Sequence, residues 1–84
     1  MSDESIAARI EQLVTEEHEL RSREQADTAN PDAFEVDRER LRTVEVELDR
    51  CWDLLRRRRA LRDAGDDPDQ AKARDADTVE RYLQ

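Results

Sequence analysis

The sequence predicts an all-α protein: an antiparallel, coiled-coil-like helical hairpin with a short C-terminal helical segment, two copies of which would form a dimeric four-helix bundle. Three observations predict it. Helix breakers are nearly absent, with one Gly and two Pro in 84 residues. Apolar residues recur at the three- and four-residue spacings that mark one face of a helix. Two clusters of turn-forming residues, Asn30-Pro31-Asp32 and Gly65-Asp66-Asp67-Pro68, divide the chain into three parts.

Each element has its own start and stop signals. The first helix is expected over about 3–26, with Ser2 as N-cap. The second is expected over about 31–64. Asn30 caps it, Pro31 takes the first helical position and Asp32 complements the dipole, while Gly65 suits the left-handed position past its end. The third segment is expected over about 68–83, with Asp67 as cap and Gln70 in the capping-box position. A break is expected in it near Asp75-Ala76-Asp77, where Asp77 and Glu80 form a second box-like pair. Together residues 1–84 make one helical domain, since a chain of this length has room for one core at most.

The heptad positions fix how the long helices should pair. In the first, Ile6, Leu13 and Leu20 lie seven apart at d, with Ile10 and Glu17 at a. In the second, Phe34, Leu41, Leu48 and Leu55 lie seven apart at a, with Val44 and Cys51 at d. Folding the chain at Asn30-Pro31 pairs residues whose numbers sum to 61: Leu20 with Leu41, Glu17 with Val44, Leu13 with Leu48, Ile10 with Cys51, and Ile6 with Leu55. Each layer sets an a against a d, as an antiparallel coiled coil requires. Glu17 is the weak layer, and its carboxylate is expected to reach out toward Arg21. Val46, at f, should face outward.

This seam leaves apolar surface over. Trp52 at e, Leu54 and Leu61 at g, and Val14 on the first helix flank it. One partner helix does not cover so wide a stripe. The expected cover is the C-terminal segment, through Val79, Tyr82 and Leu83, or a second copy of the chain. A thin two-helix core of this size commonly needs oligomerisation, so a homodimer is expected.

Composition narrows the function classes. The chain is 36% hydrophobic and 45% charged, with a net charge of −8. The acidic excess lies in residues 1–30 and 65–84, whereas residues 31–64 are neutral. An acidic surface disfavours nucleic acid and anionic membranes as partners. Cys51 is the only cysteine, so neither an intrachain disulfide nor a cysteine-rich metal site can form. The acidic start Met1-Ser2-Asp3-Glu4 lacks a signal-peptide core, which makes the cytoplasm the expected compartment.

No catalytic constellation is evident, so the chain is not expected to be an enzyme or to hold a cofactor. Glu16-Glu17-His18-Glu19 resembles a metal-binding helix only loosely: the position three before His18 is Thr15, and there is no second His. His18 falls at b, where a solvated side chain is expected, although a composite metal site across an oligomer would still be open to it. Cys51 is read as a small buried residue, not a redox thiol. The one basic cluster is Arg56, Arg57, Arg58, Arg59 and Arg62. It is the place where a phosphate-bearing or acidic partner would dock. However, five Asp (53, 63, 66, 67 and 69) surround it, and the same pairing rule sets Arg57 and Arg58 opposite Glu4 and Asp3. Ion pairing within the protein is therefore favoured.

Glu16-Glu17-His18-Glu19-Leu20-Arg21, the stretch from Leu48 through Asp49-Arg50-Cys51-Trp52-Asp53 to Leu61, and the closing Val79-Glu80-Arg81-Tyr82-Leu83-Gln84 resemble a family of short actinobacterial proteins that carry a domain of unknown function. The resemblance covers nearly the whole chain, least well at Asn30-Pro31-Asp32-Ala33-Phe34. It implies a bacterial cytoplasmic origin and brings no site residues. The function expected is that of a structural or interaction protein, a self-associating hairpin that presents charged faces to a macromolecular partner, with another protein as a candidate in addition to its own copy. The alternative is a transcription or translation accessory factor that docks on nucleic acid through the Arg56–Arg62 cluster. A metal- or redox-dependent role for His18 or Cys51 is a third class.

Overall fold

The computed structural model describes residues 2–26 and 30–83, the side chains at 25, 26, 82 and 83 excepted. The described residues are all helix, turn and extended linker, with no strand among them. Helix α1 spans Asp3–Ala26, α2 spans Pro31–Asp63 and α3 spans Ala76–Leu83, with a 3-10 turn at Pro68–Gln70.

Local chemistry accounts for the boundaries. Ser2 and Ser5 cap α1 reciprocally: the Ser5 amide donates to the Ser2 hydroxyl and the Ser2 amide to the Ser5 hydroxyl, both at 3.1 Å. The Asn30 side chain accepts from the Ala33 amide at 3.3 Å, with Pro31 in the first turn of α2. The far end of α2 closes in a Schellman motif. The Asp66 amide donates to Leu61 carbonyl at 2.8 Å and the Gly65 amide to Arg62 carbonyl at 3.0 Å, with Gly65 at φ 79°. A side chain at that φ would be strained, which is why glycine stands there.

α1 and α2 lie side by side in opposite directions. The ion pairs Arg23–Asp37 (3.1 Å), Arg40–Glu16 (2.6 Å) and Arg58–Asp3 (2.6 Å) show this, because the α2 member rises in number as the α1 member falls. Between the helices, Ile6, Ile10, Leu13, Leu20, Val44, Leu48 and Leu55 are buried. Leu41 and Cys51 pack against that core half-buried, as does Val14. Glu17 does reach toward Arg21, 3.7 Å away.

The C-terminal segment departs from a continuous helix over 68–83. Asp67 caps only the 3-10 turn, accepting from the Asp69 amide at 2.9 Å. Residues 71–75 then run without regular structure. α3 starts earlier than the box at Asp77 implies, because the Asp75 carboxylate caps it, accepting from the Thr78 amide at 2.8 Å. The 3-10 turn and α3 both pack on α2. Leu54, expected at an interface with the tail or a second copy, is 6% exposed and belongs to the core cluster, with Ala71 packed against that cluster. Val79 is 1% exposed. The side chains of Tyr82 and Leu83, expected to help cover the seam, lie outside the described residues. Val46, expected to face outward, is half-buried. It shares the outer side of α2 with Asp49, Arg50 and Asp53, the side that α3 and its approach occupy.

Candidate functional site

The five arginines sit on the last two turns of α2, and helical phase sends them in different directions. Arg58 continues the d positions of Val44 and Cys51, so its stem points into the seam. There its guanidinium donates to Asp3 at 2.6 Å, to Asp69 at 2.9 Å and to the Pro68 carbonyl at 3.3 Å. It is 6% exposed and ties α1, α2 and the 3-10 turn together. A buried charge is tolerable only when its hydrogen bonds are met in this way. Arg62 joins the same carboxylate of Asp3 at 2.7 Å.

These contacts move the acids. The guanidinium of Arg58, followed by that of Arg62, holds the Asp3 carboxyl below its ordinary value, and Arg58 does the same to Asp69. The guanidinium of Arg58 is in turn held more firmly charged by Asp3 and Asp69.

A second group of contacts fastens the tail along α2. Arg57 donates to Asp53 at 3.1 Å and to the Lys72 carbonyl. The sequence rule set Arg57 opposite Glu4; instead the partner lies one turn back on its own helix. Arg50 donates to the Arg74 carbonyl and to Glu47, each at 2.9 Å, and Arg74 approaches Asp53 at 3.9 Å. Asp53, 8% exposed, therefore faces two cations. Among the described residues no buried side-chain nitrogen or oxygen lacks a partner. Arg56 and Arg59 are different. Both are exposed, and neither enters a salt bridge among the described residues.

The remaining candidates carry little chemistry. Burial pushes the Cys51 thiol up, which disfavours the reactive thiolate. Cys51 lines a cavity of about 320 Å³, with Ile6 and Leu54 as floor and Arg9, Glu47 and Arg50 at the rim. His18 is exposed on α1. Among the described residues no three His, Cys, Asp or Glu side chains come close enough together to hold a metal ion. No helix there is long and apolar enough to cross a membrane.

Sequence reading named Asp53 among the acids around the arginine cluster and missed the role of Arg50. Asp53 carries a signal, an acid four residues before an arginine on one helix face. Arg50 carries none, because its acceptor is a main-chain carbonyl whose place depends on the path of the tail.

The structure thus defines an all-helical protein whose arginine-rich end is largely consumed in holding its own chain together. The family model described as protein of unknown function (DUF2630) matches residues 2–84, and the chain belongs to that family. It is 44% identical over 81 residues to an uncharacterised protein of Mycobacterium bovis and equally to uncharacterised proteins of two Mycobacterium tuberculosis strains. The match covers 96% of this chain and 90% of each relative. No solved structure matches the chain.

Proposed function

We propose that this protein is a non-catalytic interaction module of the cytoplasm. In this reading α1 and α2 form a coiled-coil-like antiparallel hairpin, two copies associate as a four-helix bundle, and the charged faces left outside meet a macromolecular partner. The observation that carries the reading is the use of the arginine cluster. Arg57, Arg58 and Arg62 are bound to Asp53, Asp3 and Asp69 within the chain. The strongest functional candidate in the sequence therefore serves the fold, and recognition is left to surfaces.

A second reading rests on Arg56 and Arg59, which remain exposed and without a salt bridge among the described residues. They would let an accessory factor touch nucleic acid. Two phosphate contacts on an acidic protein are few, and the half-exposed Trp52 on the same side offers bases a single stacking surface.

The two readings separate by measurement. Sedimentation equilibrium should give twice the chain mass of 9.9 kDa, and RNA and DNA should bind weakly at physiological salt. Tight, salt-dependent RNA binding that Arg56→Ala with Arg59→Ala abolishes would replace the first reading with the second.

A further inference from the structure

Around Trp52, α2 is covered by α1 and by the tail. α1 covers its a and d residues. The 3-10 turn and residues 71–75 run along the side of Leu54 and Arg57, where Arg57 binds the Lys72 carbonyl. Beyond them Arg50 holds the Arg74 carbonyl, and Glu80 of α3 lies close enough to Asp49 for their like charges to interact. The open side carries the e residues, Glu45, Trp52 and Arg59. Trp52 stands two residues from Leu54, hence about 200° around the helix axis and away from the tail. It is 43% exposed. The Arg21–Glu45 pair gives the offset between the two helices on this side. Carried seven residues along, that offset sets the half-buried Val14 beside Trp52.

The charges around Trp52 have an order. Glu45 and Asp49 precede it by seven and three residues, and Arg56 and Arg59 follow it by four and seven. Acid lies toward one end of this stretch of α2 and base toward the other, with the tryptophan between and Arg21 of α1 already on Glu45. A two-fold axis through Trp52 reverses that order, so each half meets the opposite charge of the other half. This is the self-complementarity that an isologous interface demands.

We infer that the e side of α2 is a homodimer interface in which Trp52 packs on its own copy, antiparallel, with Glu45 facing Arg59 and Asp49 facing Arg56 of the second copy. The inference rests on the self-associating reading above and specifies its surface. It gives Arg56 and Arg59 the salt bridges they do not form among the described residues. It also gives Asp49, which Glu80 crowds with like charge and Arg56 of its own helix offsets only in part, a second cation. A half-exposed tryptophan ringed by polar residues is the composition of an interface hot spot.

Three measurements on the full chain test it. Sedimentation equilibrium and the emission of Trp52, the sole tryptophan, are followed from low to high micromolar concentration. The native chain should dimerise, with the emission shifting to the blue as it does. Trp52→Glu should weaken association by at least about 30-fold with helix content retained. Arg56→Glu with Arg59→Glu should be monomeric, as should Glu45→Lys with Asp49→Lys, yet an equimolar mixture of the two double variants should form a heterodimer. A native chain that stays monomeric overturns self-association and this surface together, leaving the face to a different protein. A native dimer that persists in Trp52→Glu, or whose two double variants fail to complement although each is helical, keeps self-association and overturns the surface.

Discussion

Asp3 and Arg58 stand 55 positions apart in the chain and meet at 2.6 Å. Their numbers sum to 61, the sum that also pairs Ile6 with Leu55 and Leu13 with Leu48. The ion pair is therefore the next layer of the same seam, one turn beyond its last apolar layer, with charge in place of leucine. Arg62 and Asp69 complete it from the two sides.

That layer makes Arg58 the most consequential arginine for stability. Arg58→Ala should lower the Tm by more than about 5 °C, because it removes the packed stem and leaves Asp3 and Asp69 without their shared partner. Arg58→Met should lose less, since it keeps the stem volume and both acids are partly open to water. Thermal unfolding followed by circular dichroism tests the order. An Arg58→Ala protein as stable as the native one would show the cluster to be decorative.

Acid should loosen the protein through the same residues. Asp3 and Asp69 have folded-state pKa values lowered from 3.8. A lowered value means that their stabilisation is full above the ordinary carboxylate range and is lost as pH falls through it. The Tm should therefore drop as pH falls from about 5 toward 3. Asp3→Asn should flatten that drop.

Asp49 should behave in the opposite sense. Burial first, and then the like charge of Glu80, raise its folded-state pKa. Its contribution is present below the ordinary value and lost as pH rises through the raised one. Asp49→Asn, tested in a Trp52→Glu background to exclude association, should raise the Tm at neutral pH and have little effect near about pH 3. A lower Tm at neutral pH would mean that the Asp49 carboxylate is stabilising where it stands.

The pairing of the long helices can be trapped covalently. Cysteines placed at Leu13 and Leu48, both buried in the one core cluster, should crosslink within one chain in a Cys51→Ser background under mild oxidation. Crosslinks that form only between chains would mean that the helices pair between molecules.

Leu54 should control the tail. It is 6% exposed in the core cluster against which Ala71 packs. Leu54→Asp should release residues 71–75 and speed tryptic cleavage after Lys72 and Arg74. The native cleavage rate in that variant would show that the arginine contacts to the Lys72 and Arg74 carbonyls hold the tail unaided.

The sequence by itself determined the all-helical class and where each long helix begins and ends. These are decided within a few residues: an Asn30 cap before Pro31, a Schellman turn that only Gly65 enters without strain, and apolar spacing that holds its phase along both helices. Burial along both helices follows phase: Ile6, Ile10, Leu13, Leu20, Val44, Leu48 and Leu55 are buried, and Leu41 and Cys51 are half-buried. The tertiary structure alone decided what happens beside the seam. Leu54 and Trp52 flank it equally in sequence, and the path of the tail after Gly65 buried one and left the other open. The same path brought the carbonyls of Pro68, Lys72 and Arg74 to Arg58, Arg57 and Arg50. No local rule contains those contacts: a side chain that binds a distant main-chain carbonyl carries no spacing signal, and a run of arginines in sequence becomes separate inward and outward groups only when helical phase meets a partner.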